Sequence, residues 1–215
     1  MKAFIYVGGD ICPQRITEHP KSDDLRIAAD SGYHNALLLG DKVDILLGDL
    51  DSIKADIPDG VELVKVPAEK DFSDAQMAIN TALERGADEI VIIGGISGRL
   101  DHTLANLSLL APLQKAHVYA YITDGYNRVR YLESTSTLVA RSQFKYLSIL
   151  PIDEKLKGVS IEGCKYPLKN ATLTKQNASL SISNEIEGNC AFISVRKGAC
   201  YVIESIDRDN DTQVK

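Results

Sequence analysis

The chain has 215 residues, of which 44% are hydrophobic and 25% are charged, and its formal net charge is −6. No stretch approaches the roughly 20 apolar residues of a membrane-spanning helix, which argues against an integral membrane protein. The acidic balance argues against a general grip on nucleic acid, because contacts along a duplex need a basic face, although a single bound nucleotide stays possible.

Residues 1–132 alternate short apolar strands with helical segments. This alternation predicts an α/β domain whose mostly parallel sheet is covered by helices. A short helix is predicted to end at Gly40, a second follows Asp71 and ends at Gly86, and a third lies between Asp101 and Pro112. The predicted strands are residues 3–7, 25–29, 43–47, 61–66, 89–93 and 117–123.

The first strands lead into small and polar residues. Met1-Lys2 runs into the first strand with no signal-like apolar core, so we expect a cytoplasmic location. Gly8-Gly9 follows that strand, where bare backbone can approach phosphate oxygens, although such a turn alone is more typical of a plain tight turn. Asp30 ends the second strand and fits a helix or turn cap and a role at the nucleotide or substrate equally well.

Two carboxylates one residue apart follow the third strand. Asp49 and Asp51 come directly after the apolar run 43–47 and Gly48. They would lie just past the carboxyl end of a strand, where open α/β sheets keep their ligands. Residues two apart in an extended segment face the same side, so both carboxylates could reach one hard cation. The pair therefore predicts a metal site.

More acids stand at the beginning of the second predicted helix. Asp71 and Asp74 flank Ser73, which has capping-box spacing to Gln76. Helix capping is about as good an explanation for each of these acids as metal binding, and the two roles are compatible.

The strand 89–93 is followed by a second glycine-rich segment that contains Gly94-Gly95 and Gly98. Arg99 lies between these glycines and a helix that begins near Asp101. An arginine in that setting is well placed to hold a phosphate with two hydrogen bonds. Asp101, like the acids near Ser73, also fits a helix-capping role.

The five acids Asp49, Asp51, Asp71, Asp74 and Asp101 could converge at one edge of the sheet. Two unit charges about 4 Å apart repel by roughly 4 kcal/mol at an effective dielectric constant near 20. Either a divalent metal ion lies among them or some of them hold protons.

After about residue 135 the pattern changes to short β-type runs punctuated by glycine. This predicts an all-β sandwich over residues 136–215. Residues 178–183 alternate small or apolar with polar side chains, which predicts a strand with one buried face. Ser183-Asn184-Glu185 then enters a loop, for which a polar hairpin turn is the simplest explanation. The predicted strands are residues 137–140, 146–150, 159–161, 171–174, 178–183, 191–195 and 200–203.

Together these segments resemble the thiamine pyrophosphokinase family, and the likeness extends over nearly the whole chain. The paired-acid strand end and the Gly-Arg-x-Asp-His segment are specific when they occur together. The segments that carry the resemblance are residues 28–32, 48–52, 71–74, 94–102 and 183–185.

The resemblance implies an α/β catalytic domain that binds ATP and metal in residues 1–132, and a thiamine-binding β-sandwich in residues 136–215. It implies a homodimer with thiamine near the interface. The implied reaction transfers a pyrophosphoryl group from ATP to the hydroxyl of thiamine, giving thiamine diphosphate and AMP, with Mg²⁺ as the metal.

The resemblance also implies residue roles on the phosphate side. Asp49, Asp51 and Asp74 would hold magnesium and the triphosphate, with Asp71 close by. Asp74 either completes the metal site or accepts the hydroxyl proton. The glycines Gly94, Gly95 and Gly98 would approach the phosphates.

Arg99 would clamp the phosphates, and Asp101 would either orient Arg99 or act as the base. Ser183 and Asn184 match positions that hold thiamine, and Asp30 is a further expected substrate contact. Members of the family often carry a tryptophan near the end of the sandwich; this chain has none. Tyr201 or Tyr166 would take its place.

Two other functions fit the same residues. One is a different magnesium-dependent phosphoryl transferase or hydrolase on this scaffold, which would release a different product from ATP. The other is a non-catalytic sensor of a nucleotide or of thiamine diphosphate, which would bind tightly without turnover.

Overall fold

The computed structural model describes residues 1–48, 57–65 and 72–208. Its internal contacts divide the chain into two compact units, Met1–Gly125 and Tyr126–Lys215. The division falls a few residues before the end of the predicted first domain, because the strand Asn127–Glu133 pairs with a strand of the second unit. No helix in the described part of the chain is long and apolar enough to cross a membrane.

The first unit contains a parallel sheet with the strand order β4-β3-β2-β1-β5-β6. All six predicted strands are present, with ends shifted by at most two residues. The strands are β1 (Lys2–Tyr6), β2 (Leu25–Ala29), β3 (Ile45–Gly48), β4 (Glu62–Lys65), β5 (Glu89–Ile93) and β6 (Tyr119–Thr123), and the helices are α1 (Gly32–Leu39), α2 (Asp74–Glu84), α3 (Leu100–Ser108) and α4 (Leu110–Lys115), with a 3₁₀ turn at Pro13–Arg15.

The central strands read as continuous apolar runs because both faces of the sheet are covered. Phe4, Ile5 and Tyr6 of β1 are fully buried, as are Ile90 and Ile93 of β5. The strands β2, β3 and β4 extend from one side of β1, whereas β5 and β6 extend from the other. The strand order therefore reverses between β1 and β5. Open α/β sheets form ligand clefts at such a reversal point.

The ends of the helices test two predictions made from local sequence, the cap of α2 and the end of the third helix. The predicted cap of α2 is confirmed, since Ser73 Oγ accepts a hydrogen bond from the N–H of Gln76 at 3.2 Å. The Gln76 side chain donates instead to Asn80, at 3.1 Å. The prediction that Pro112 ends the third helix is wrong, because α3 ends at Ser108 and Pro112 lies in the first turn of α4. A first-turn N–H has no intrahelical acceptor, so proline is tolerated there.

The second unit contains two antiparallel sheets, with strand orders β7-β13-β9 and β11-β10-β12-β8. Side chains of both sheets form one buried apolar cluster, so the predicted sandwich is confirmed. The strands are β7 (Asn127–Glu133), β8 (Ser136–Ala140), β9 (Tyr146–Pro151), β10 (Lys155–Glu162), β11 (Leu168–Thr174), β12 (Cys190–Lys197) and β13 (Ala199–Ser205).

The predicted strand 178–183 is wrong. Most of it lies in a 3₁₀ helix, Lys175–Ser181. Thr174 Oγ1 accepts a hydrogen bond from the N–H of Asn177 at 3.3 Å, and Asn177 Oδ1 accepts one from the N–H of Thr174 at 2.5 Å. This reciprocal capping begins a helical turn that the alternation of small residues concealed. The buried hydroxyl of Ser181 donates to the Ile149 carbonyl at 2.7 Å and fixes the end of the segment against β9.

Candidate active site

A cleft of about 620 Å³ opens in the first unit at the carboxyl ends of β1, β2 and β5. Turns after these three strands and the first turns of α2 and α3 form its walls. The volume falls within the range that proteins use for small-molecule ligands. The lining residues are 7–9, 29–31, 72–75, 95, 97–99, 102 and 106.

The two predicted glycine turns lie side by side in this cleft. The N–H of Gly95 donates to the Gly8 carbonyl at 2.8 Å, which joins the turns after β1 and β5. Gly94 has a φ of 95°, and a Cβ there would lie 2.4 Å from the Val7 carbonyl oxygen. Only glycine fits such a position. Gly95 and Gly98 line the cleft, whereas Gly94 is not among the lining residues.

Arg99 lines the cleft at the beginning of α3 and is paired with Asp101. The guanidinium Nη2 lies 2.6 Å from Oδ2 of Asp101, and Nε lies 3.2 Å from Oδ1. The two side chains are 72% and 65% exposed, so water or a ligand can reach both. The hydrogen bonds from Arg99 lower the pKa of Asp101 to about 2, with a smaller contribution from the His102 N–H.

Among the described residues, Asp30 and Asp74 are the carboxylates that line the cleft, from the end of β2 and the first turn of α2. Asp30 has a φ of 48°, and its N–H donates to the Leu47 carbonyl at 2.7 Å, which fixes the sharp turn after β2. Asp74 lies in the first turn of α2, where the helix dipole favours a negative charge.

Asp49, Asp51 and Asp71 lie outside the described residues. The described neighbours of both segments lie beside the cleft: a Cβ on Gly48 would be 3.4 Å from Asp30, and Phe72 lines the cleft wall. Within residues 1–48, 57–65 and 72–208, no group of three or more acidic, histidine or cysteine side chains could hold a metal ion. The carboxylate donors of the predicted set nevertheless have the chemistry that a hard cation requires.

Ser183 and Asn184 belong to the second unit. Asn184 is 3% exposed, and its side chain binds the backbone of Tyr166 through two hydrogen bonds. Nδ2 donates to the Tyr166 carbonyl at 2.8 Å, and Oδ1 accepts from its N–H at 3.0 Å. Ser183 is exposed, has a φ of 55°, and donates its N–H to Ser148 Oγ at 3.0 Å. Asn184 therefore shapes the loop beneath the exposed Tyr166 ring.

Comparison with known proteins now decides the family. Residues 17–122 match the model of the thiamin pyrophosphokinase catalytic domain, and residues 135–200 match that of the thiamin pyrophosphokinase vitamin B1 binding domain. The thiamine pyrophosphokinase of Bacillus subtilis (strain 168) is 31% identical over 198 residues, which cover 89% of this chain and 92% of that protein. The chain belongs to the thiamine pyrophosphokinase family.

Solved structures of thiamine pyrophosphokinases agree. The Bacillus subtilis structure superposes with a TM-score of 0.86 at 28% identity, covering 96% of this chain and 100% of that one. The Geobacillus thermodenitrificans structure gives 0.83 at 28% identity, covering 97% and 99%. The Candida albicans structure gives 0.74 at 17% identity, covering 95% and 89%, and shares the fold. The predicted family and fold class are confirmed.

Family membership also confirms the predicted activity. The chain is an ATP-dependent thiamine diphosphokinase, a transferase whose substrates are ATP and thiamine.

The sequence analysis missed several residues of the thiamine pyrophosphokinase cleft. Phe72, Ser97 and Asn106 line it without having been predicted, and so does His102, which was named only as part of the Gly-Arg-x-Asp-His segment. Phe72 and Ser97 stand between residues that were predicted, so their position was a usable signal. Nothing in the sequence indicated Asn106. It lies within α3, and only the orientation of that helix brings it to the cleft.

Proposed function

We propose that the cleft at the ends of β1, β2 and β5 is where this chain transfers the pyrophosphoryl group from ATP to thiamine. The observation that carries this proposal is the pair of glycine turns joined at the point where the strand order reverses. Such turns let backbone N–H groups approach phosphate oxygens. In this arrangement the triphosphate lies against the glycine turns, with Arg99 beside it.

The reaction requires the thiamine hydroxyl oxygen to attack the β-phosphorus of ATP. The bond between that phosphorus and the oxygen bridging to the α-phosphorus breaks, AMP leaves with the electron pair, and the hydroxyl proton passes to a base. The protein contributes mainly by positioning the two substrates and by offsetting negative charge on the phosphate oxygens.

Arg99 is the residue that we assign to charge neutralisation. Its carboxylate partner is exposed, so a phosphate can replace Asp101 on the guanidinium without exposing a buried charge. Because the pKa of Asp101 is lowered to about 2, its carboxylate is a poor proton acceptor near neutral pH. Of the two roles expected for Asp101, this supports orienting Arg99, and it leaves Asp74 as the candidate base.

Mg²⁺ is the metal that we propose for this site. Asp49, Asp51 and Asp71 would hold it, and Asp74 would either complete this set or serve as the base, since carboxylate oxygens are the ligands that Mg²⁺ prefers. Bound there, the ion would offset charge on the phosphate oxygens of ATP. Replacing Asp49 by Asn should abolish turnover while the far-UV circular dichroism spectrum and the urea unfolding midpoint stay unchanged. Near-normal activity in that variant would exclude the proposed metal role.

For thiamine we propose contacts from Asp30 in the cleft and from Ser183, with Asn184 acting through the Tyr166 backbone. The first unit would then be the ATP- and metal-binding domain and the second the thiamine-binding domain. We also propose that the chain acts as a homodimer with thiamine near the interface; its location in the cytoplasm stays a prediction.

The test of the proposed function is to incubate the purified protein with MgATP, with and without thiamine, and to separate the nucleotides by chromatography. We expect AMP to form in step with thiamine diphosphate, and only when thiamine is present. Release of ADP, or AMP formation that does not depend on thiamine, would contradict the proposal.

A further inference from the structure

A buried asparagine donates hydrogen bonds to the backbone of the turn after β1. Asn35 lies on α1 and is only 4% exposed. Its Nδ2 donates to the carbonyl of Val7 at 2.8 Å and to the carbonyl of Gly9 at 2.9 Å. One amide group therefore uses both of its hydrogens on alternate carbonyls of a single turn.

The remaining carbonyls of this turn also have donors. The N–H of Gly95 donates to the Gly8 carbonyl at 2.8 Å, and Ser97 Oγ donates to the Asp10 carbonyl at 3.2 Å. Four consecutive carbonyls, those of residues 7–10, are thus occupied by donors from α1 and from the turn after β5.

This pattern decides which polar groups the turn can offer to a ligand. A carbonyl oxygen facing a phosphate would repel it, whereas an N–H group attracts it. Among residues 1–48, 57–65 and 72–208, the N–H groups of Gly8 and Gly9 have no hydrogen-bond acceptor. Both residues line the cleft. With its acceptors occupied, the turn is suited to an anionic ligand.

The turn after β5 has a related support. Asn106 of α3 donates its Nδ2 to the Gly95 carbonyl at 2.9 Å. Each of the two glycine turns at the reversal point is therefore held by an asparagine from a helix, α1 for the turn after β1 and α3 for the turn after β5. Asn35 is the stronger case, because its amide is buried and makes two hydrogen bonds where Asn106 makes one.

We propose that Asn35 is a positioning residue for ATP. By binding the carbonyls of Val7 and Gly9 it fixes the turn so that its N–H groups are presented to the triphosphate. The proposal rests on the proposed function for the identity of the ligand. Asn35 lies outside all the sequence motifs that indicated that function.

The experiment measures the affinity for α,β-methylene-ATP by isothermal titration calorimetry, in the presence of Mg²⁺. In this analogue a methylene group replaces the bridging oxygen whose bond would break, so binding is measured without reaction. The variants are Asn35→Ala, Ser97→Ala and the control Asn80→Ala. Asn80 is a half-buried asparagine of α2 that accepts a side-chain hydrogen bond and does not line the cleft.

We expect Asn35→Ala to weaken binding of the analogue about tenfold, as for the loss of hydrogen bonds to a buried group, and to leave the KM for thiamine within about twofold. Ser97→Ala should weaken binding about threefold, and Asn80→Ala should not change it. A folded Asn35→Ala protein with wild-type affinity would overturn the proposal. So would an equal rise in the KM values for ATP and thiamine, which indicates a general loss of structure.

If Asn35→Ala does not fold, Ser97→Ala decides the matter, because its side chain is only half-buried and its loss should be tolerated. Weaker binding of the analogue by Ser97→Ala supports the proposal that hydrogen bonds to the carbonyls position the turn. Unchanged binding overturns it. Failure of the proposed function gives a different result: the wild-type protein would form no AMP with thiamine, whether or not Asn35 affects binding of the analogue.

Discussion

Each unit of the chain contains an arginine–carboxylate pair, and the two pairs differ in their access to water. Arg99 and Asp101 of the first unit approach to 2.6 Å and are 72% and 65% exposed. Arg130 and Glu204 of the second unit approach to 2.9 Å and are 11% and 2% exposed. An exposed pair adds little stability and can exchange its partner for a ligand, whereas breaking a buried pair leaves a charge without compensation. We therefore assign the exposed pair to the proposed reaction and the buried pair to the stability of the fold.

The buried pair follows from the register of the sandwich. In the pairing of β7 with β13, Arg130 lies opposite Val202 and Arg128 lies opposite Glu204. These side chains share the face whose other members, such as Leu132, form the apolar core. The Arg128 guanidinium also lies 5.1 Å from the centre of the Phe144 ring. The apolar core is therefore bordered by a cluster of charged side chains, in which Glu204 offsets the charges of Arg128 and Arg130.

The largest effect on stability is expected from Glu204→Ala. Removing the carboxylate breaks the buried ion pair between Arg130 and Glu204, which should cost about 3–5 kcal/mol of the free energy of unfolding. Urea denaturation measures this loss. Glu154→Ala is the matched control, because Glu154 forms an exposed pair with Lys175 in the same unit. If both substitutions cost the same, the distinction between buried and exposed pairs fails.

Arg99→Ala should lower activity and leave stability unchanged. We expect kcat/KM for ATP to fall by about 10²–10³, as when a donor to the reacting oxygens is removed, with no change in the urea midpoint. Arg85→Ala is the control, since Arg85 forms another exposed pair in the first unit, with Glu62, and does not line the cleft. Full activity in Arg99→Ala would remove Arg99 from the site.

A smaller effect is expected from Asp101→Asn. The Arg99 hydrogen bonds depress the pKa of Asp101 to about 2, so the carboxylate is ionised from about pH 5 to pH 9 and its pairing is lost only as the pH falls through about 2. We expect kcat/KM to fall about tenfold with the acid limb of the pH–rate profile in place. Disappearance of that limb would identify Asp101 as the base instead.

The smallest effect is expected from Ser73→Ala at the beginning of α2. Loss of the hydrogen bond from the Gln76 N–H should lower the free energy of unfolding by about 1 kcal/mol. Ser73→Asp keeps an acceptor at the cap and should retain wild-type stability. Equal stability of all three proteins would show that the cap does not hold α2 in place.

Local pattern was enough for the sheet of the first unit and for much of the cleft. Apart from their first residues, Lys2 and Glu89, the strands β1 and β5 are apolar, and the glycine turns and then Arg99 come after them in sequence. Individual side-chain contacts, one local and one tertiary, decided the rest. The segment Lys175–Ser181 is helical because Thr174 and Asn177 cap each other, and Asn35 reaches two carbonyls only because α1 packs against the end of β1. Neither contact has a periodic signal in the sequence.

The most direct test of the proposed site is a crystal structure of the protein with α,β-methylene-ATP and Mg²⁺. The proposed site predicts phosphate oxygens within hydrogen-bonding distance of the Gly9 N–H and of the Arg99 guanidinium, with the Arg99–Asp101 pair opened or shared. A triphosphate bound away from the turns after β1 and β5 would contradict it.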